Sequence, residues 1–263
     1  MTRRDPAIVG LIGYGALARE TVAALKDETV SWVVLLRDTS STSVPDGMTV
    51  VTSAQEMAAC RPLVVVEAAG QGSVAAYVPA LLRSGIPVIV ASIGALADET
   101  IEAEIARATA ASRARIIIPS GAIGGLDYLA AVAPLEDTRV RYIQRKPLAA
   151  WQAELTALGL SRPVAPVVLF EGSPREAAQR YPKNLNAAYA ATLTASPAPV
   201  TVVVIADPAI DTNIHELEIE SAAGTAQFRF ANAASADNPK TSAMTAHSLA
   251  AAIRTVLAGK AGL

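Results

Sequence analysis

Cysteine is nearly absent from this 263-residue chain, where Cys60 stands alone. A single thiol excludes an intrachain disulfide and any site built on several cysteines, and it suits a reducing cytoplasm. The simplest role for Cys60 is that of a small buried hydrophobe. Histidine is scarce too, with only His215 and His247 to carry acid or base chemistry near neutral pH. Aromatic residues make up 4% while hydrophobic residues reach 52%. That balance disfavours an aromatic-rich β-sandwich and favours helices packed on a largely parallel sheet. The formal net charge of -2 offers no basic field for a phosphate backbone, so nucleic acid is excluded as the main partner. No apolar run approaches the roughly 20 residues needed to span a bilayer. After Arg3 and Arg4 the apolar stretch is broken by Gly10, Gly13 and Gly15, so it does not read as a signal peptide. A soluble, cytoplasmic protein with a small-molecule partner, no membrane and no bound metal is the resulting expectation.

Against these absences one feature stands out near the start. The apolar run 7–12 leads into Gly13-Tyr14-Gly15-Ala16-Leu17-Ala18, and helical spacing follows from Leu17 to Lys26. Strand, glycine turn and helix in that order form the context a dinucleotide fingerprint requires, with Ala18 in the third small position. Gly13 permits the tight turn and Gly15 lets the backbone approach a pyrophosphate. Ala16 and Leu17 open the helix whose free N–H groups and positive dipole end favour the phosphate charge. The acidic residue that usually meets a ribose hydroxyl at the end of the second strand is displaced, because Leu36 is followed by Arg37 and then Asp38. Arg37 suits a 2′-phosphate, so NAD and NADP both remain open.

Further apolar runs at 32–36, 63–68, 87–91 and 116–118 alternate with helical stretches at 73–84, interrupted by Pro79, and at 98–112, capped by Asp98. Alternation of this kind implies parallel βαβ units. Beyond Pro119 strand-like stretches dominate, at 139–145, 164–170, 200–206, 214–220 and 226–231. The expected fold is α/β, a Rossmann-type doubly wound parallel sheet with a second α+β domain. Residues 1–121 form the dinucleotide-binding domain, residues 238–263 pack back on it, and residues 122–237 form the catalytic and substrate domain. In the second domain Glu216, Glu218 and Glu220 fall on one strand face, expected to be wet. His215, Leu217 and Ile219 share the covered one, so His215 by itself reads as a satisfied core histidine more readily than as a catalytic group. The last helix carries a stripe of Leu249, Ile253, Val256 and Leu257 and stops at Gly259.

Three loops combine bending residues with polar groups: Ser120-Gly121-Ala122-Ile123-Gly124-Gly125, Tyr181-Pro182-Lys183-Asn184-Leu185-Asn186 and Asn238-Pro239-Lys240-Thr241-Ser242. With these, Glu67-Ala68-Ala69, Arg145-Lys146-Pro147, Gly172-Ser173, Ala206-Asp207-Pro208 and Asn213-Ile214-His215-Glu216 complete an ordered set. In this set the chain resembles the L-aspartate dehydrogenase family over nearly its whole length. The resemblance implies oxidation of L-aspartate with NAD or NADP to iminoaspartate, which hydrolyses to oxaloacetate and ammonia. It implies His215 as the catalytic residue, and cofactor contacts at Ala68, Ala122 and one of Asn184 and Asn186. The segment after Asn186 is bulkier, at Tyr189, than the family pattern, and Asn186 is preferred. A homodimer and a part in NAD biosynthesis are implied as well. Lys240, Ser173, Arg145 and Lys183 are candidates for the substrate carboxylates by chemistry and loop position. The alternatives are a two-domain reductase of another imine or semialdehyde, and a non-catalytic nucleotide-sensing protein; both would keep the glycine turn.

Overall fold

Runs such as Val64-Val65-Val66 hold no polar side chain for solvent, so they form strands only where both faces are covered. The structure, a computed structural model, describes residues 6–40, 42–160, 162–181, 185–235, 237–238 and 241–259. Its contacts divide into two units, Met1–Pro119 with Thr245–Leu263, and Ser120–Met244.

In the first unit the strands are β1 (Ala7–Ile12), β2 (Val30–Leu35), β3 (Thr49–Val51), β4 (Val64–Glu67), β5 (Val88–Val90) and β6 (Ile116–Ile117). They pair in parallel in the order β3-β2-β1-β4-β5-β6. Val64, Val65 and Val66 are fully buried. The order reverses between β1 and β4, and in such sheets ligands bind beyond the carboxyl ends of the strands at that point. The helices are α1 (Ala16–Ala24), α2 (Ala54–Ala59), α3 (Gln71–Arg83) and α4 (Glu99–Ala111). Asp98 caps α4 by accepting from the N–H groups of Thr100 and Ile101. Pro79 does not end α3: burial of Val74, Val78, Leu81 and Leu82 offsets the ~3 kcal/mol that an interior proline costs. Neither β3 nor α2 is foreseen from sequence, because three and six residues are too few to show a period. Cys60, expected to be buried, is half-exposed at the end of α2.

The second unit contains α5 (Leu126–Val132), β7 (Arg139–Pro147), α6 (Gln152–Ala157), β8 (Val167–Gly172), α7 (Pro174–Arg180), α8 (Asn186–Ala195), β9 (Val200–Asp207), β10 (Asn213–Ser221) and β11 (Gly224–Asn232). Its sheet runs β11-β10-β7-β9-β8, parallel only between β7 and β9. The chain ends in α9 (Ala243–Leu257), whose Leu249, Ala250 and Ile253 join the core of Val9, Leu11, Val64 and Val66. Arg254, in the last turn of α9, donates to the Ala24 carbonyl at the end of α1 and pairs with Glu28. A cation there also complements the negative end of the α1 dipole. Among the described residues no helix is long and apolar enough to cross a membrane.

Register sorts the β7 and β10 side chains onto two faces. Gln144 lies opposite His215, Tyr142 opposite Leu217 and Val140 opposite Ile219, so these six share one face, and Lys146 continues it along β7. The other face carries Arg141, Arg145, Glu216 and Glu218. It is not simply wet: Glu216 is buried, held by Arg145 at 2.9 Å and Arg229 at 3.3 Å. A carboxylate with two guanidinium partners can leave water where an unpaired one cannot.

Candidate active site

The phosphate-binding turn is made of backbone. Gly13 has φ 82° and donates to the Leu35 carbonyl at 2.9 Å; a Cβ on it would lie 2.7 Å from the Ala69 Cβ. The turn after β1 therefore touches the loop after β4, and only glycine fits both the space and the backbone. Around Gly15 there is open space, and no side chain caps α1, so the first N–H groups of that helix have no side-chain acceptor. A dinucleotide pyrophosphate fits this cradle. Arg37 is exposed directly beyond β2. Asp38 has one oxygen engaged by Ser40, whose hydroxyl and N–H hold its carboxyl below the usual carboxylate range. The Ala68 N–H donates to the Ile12 carbonyl.

Next to Ala68 in the chain is a group to which sequence reasoning gave no role. Glu67 is fully buried at the end of β4 and accepts from the N–H groups of Ala69, Gly70 and Ser92 at 2.8, 2.9 and 2.9 Å. Hydroxyls of Ser73 and Ser92 add bonds of 2.7 and 3.2 Å. One carboxylate thus ties the loops after β4 and β5 to the first turn of α3.

In the second unit His215 is 6% exposed, and its Nδ1 stands 2.6 Å from the hydroxyl of Tyr142, 73 residues away in sequence. Burial first, and then the Lys146 charge, push the imidazole down to about 4, so the ring is neutral at working pH. Lys146 is itself buried, its Nζ 5.6 Å from the centre of the Trp151 ring, and burial pushes its ammonium down to about 8. The Trp151 ring meets Tyr181 edge to face, and its buried Nε1 has no hydrogen-bond partner among the described residues.

The proposed substrate ligands fare unevenly. Arg145 is not brought to His215: it lies on the opposite face of the sheet, committed to Glu216 and Asp207. Lys146, next to it, is the cation on the histidine face. Alternation in Tyr142-x-Gln144-x-Lys146 was the signal, usable only once the pairing with β10 is known. Ser173 is the N-cap of α7, forming a capping box with Glu176, so its hydroxyl is engaged in holding the helix start. The Ala122 carbonyl accepts from Asn232 Nδ2 at 2.7 Å. Gly124 and Gly125 pack rather than bind: a Cβ on Gly125 would stand 2.9 Å from the Phe228 ring, and one on Gly124 3.1 Å from Phe230. Asn186 is the exposed first residue of α8, and Tyr189 is buried within that helix. Asn184, Lys183 and Lys240 lie outside the described residues.

Comparison with known proteins agrees with this layout. Residues 127–256 match the family described as aspartate dehydrogenase, C-terminal, and residues 13–119 match the NAD-binding domain of homoserine dehydrogenase. An L-aspartate dehydrogenase 2 of Bordetella pertussis is 40% identical over 260 residues, covering 95% of this chain and 97% of its own length. The chain belongs to the L-aspartate dehydrogenase family. The L-aspartate dehydrogenase of Pseudomonas aeruginosa is 35% identical over 92% of this chain and 95% of its own. The crystal structure of aspartate dehydrogenase from Thermotoga maritima superposes with a TM-score of 0.75 at 29% identity, over 98% of each chain. The aspartate dehydrogenase match spans Tyr142, Lys146 and His215.

Proposed function

We propose that this protein catalyses the NAD(P)-dependent, reversible oxidative deamination of L-aspartate to iminoaspartate, which hydrolyses to oxaloacetate and ammonia. Family membership supports the substrate, and the turn at Gly13 and Gly15 supports the coenzyme. The observation that carries the reading is the pairing, on one covered sheet face, of a neutral histidine held at Nδ1 by Tyr142 with a buried lysine. A site for an anionic amino acid needs a hydrogen-bond donor for carboxylate and a titratable group for the amine, and this face supplies both kinds.

The pyrophosphate would rest on the backbone at Gly13 and Gly15 and the N–H groups of Ala16 and Leu17, with Arg37 at the ribose. The resemblance adds Ala68, Ala122 and Asn186 toward the nicotinamide. When bound, the coenzyme supplies a hydride acceptor. His215 presents Nε2 to the substrate because Nδ1 is taken by Tyr142. Lys183 and Lys240 are assigned to the substrate carboxylates, and Lys146 to its ammonium. The resemblance further supports a cytoplasmic homodimer working in NAD biosynthesis, and light scattering measures the assembly. The function is tested by absorbance in the NADH band with aspartate, glutamate, alanine and homoserine offered separately, with each coenzyme. Reduction with aspartate alone is expected at alkaline pH; none with either coenzyme refutes the reading.

A further inference from the structure

Amine oxidation by hydride transfer needs a neutral amine, so some group must accept a proton from the substrate ammonium. The Tyr142 hydroxyl is fully buried, and burial pushes its pKa up, so it keeps its proton at any working pH. Its hydrogen-bond partner among the described residues is His215 Nδ1. A hydroxyl with one acceptor in reach donates to it, and a bond accepted at Nδ1 leaves the proton of a neutral imidazole on Nε2. The free edge of His215 is then a donor, poorly suited to take a proton. Among the described residues, Lys146 is a cationic group on that face whose charge acts on His215. Along β7 it is two residues on from Gln144, which lies opposite His215; on β9 it pairs with Ala206, and from the turn after β7 the Trp151 ring stands by its Nζ, with Tyr181 beyond. Arg145, Asp207 and Glu216 stand on the opposite face.

We propose that Lys146 is the catalytic base that takes the proton from the substrate ammonium, and that Tyr142 is a positioning residue holding His215 as a hydrogen-bond donor at Nε2. The proposal rests on the aspartate-oxidising reading. In the step, an N–H bond of the α-ammonium breaks, its electron pair stays on nitrogen, and the proton bonds to neutral Lys146 Nζ. The neutral nitrogen then has the lone pair that would close the C=N bond as hydride leaves Cα with its electron pair, and bound oxidised NAD(P) would supply the acceptor. His215 Nε2–H donates to a substrate carboxylate oxygen and keeps its proton throughout. Oxidation should thus speed up with rising pH as Lys146 loses its proton, through about 8.

Two measurements decide it. In wild type, kcat/KM for aspartate rises along that limb. Lys146→Arg, which keeps the cation and cannot deprotonate, is expected to lose the limb and about 100-fold or more in kcat, with KM for aspartate changed only a few-fold. Lys146→Ala should recover activity with added ethylamine. Independently, 15N-histidine spectra of the free protein, with His247→Gln for assignment, should show His215 with a pyridine-type Nδ1 and a pyrrole-type Nε2, and Tyr142→Phe should convert it to a mixture. A Lys146→Arg enzyme that retains the alkaline limb, or a pyrrole-type Nδ1 in wild type, overturns the proposal. A wild type inactive on aspartate with both coenzymes overturns the functional reading and the role of Lys146 with it, while the spectra still decide that of Tyr142.

Discussion

The two units solve the problem of a binding site in opposite ways. The first presents backbone: the chemistry at Gly13 and Gly15 belongs to N–H groups, and neither residue has a side chain. The second presents side chains, Tyr142, Lys146 and His215, placed by strand pairing. The buried acids differ likewise. Glu67 is held by neutral donors of its own unit, whereas Glu216 is held by two arginines. A backbone site depends on shape, so it should fail by steric and hydrogen-bond defects. A side-chain site depends on protonation and should fail chemically while its fold survives.

The strongest way to break this contrast is His215→Ala. If the second unit carries chemistry alone, turnover falls by about 10²–10³-fold, as for the loss of one preorganised hydrogen-bond donor, while NADH binding, followed by fluorescence titration, is retained. Comparable loss of both would mean that the two units do not divide the work. Next in size is Glu67→Gln. An amide in place of one oxygen turns an acceptor into a donor facing donors, at a cost of ~2–4 kcal/mol in urea unfolding. A loss below about 1 kcal/mol would show that the loops after β4 and β5 hold without it.

Protonation supplies the third test. His215 is depressed from its ordinary 6.5 to about 4 in the fold. Between those values the unfolded chain binds the proton and the folded one does not, so stability rises with pH across the window and is lost as pH falls from 6.5 toward 4. The full difference is on the order of 3 kcal/mol. In His215→Asn the acid slope should flatten; an unchanged slope in urea midpoints at pH 4.5, 5.5 and 6.5 would place the acid sensitivity elsewhere.

The same contrast explains what the sequence revealed. Gly13-x-Gly15 is legible because its parts are neighbours in the chain and its context, strand then helix, is local. His215 is legible only through resemblance, since alternation alone makes it a core residue, and the core position is where it lies. Tyr142 and Lys146 were illegible because 73 residues separate the Tyr142–His215 pair and only register puts them on one face. Arg145 was a candidate by chemistry and loop position, but a one-residue step along a strand changes the face, and it is Lys146 that shares the side of His215.

Ser173 gives the smallest effect and the finest distinction. As a candidate substrate ligand it would lower aspartate affinity when removed, and as a cap it would lower stability instead. Its hydroxyl oxygen accepts from the Glu176 N–H at 3.3 Å and its O–H donates to the Glu176 carboxylate at 2.6 Å, while Ser173 N–H donates to the same carboxylate. Those bonds hold the Glu176 carboxyl below its ordinary range and use up the hydroxyl's one proton. Ser173→Ala should therefore cost ~1 kcal/mol in unfolding, recovered in part by Ser173→Asp, with KM for aspartate unchanged. A rise of tenfold or more in KM at full stability would return Ser173 to the substrate. The two outcomes separate a side chain that serves the backbone from one that serves the ligand, within the unit where side chains make up the candidate site.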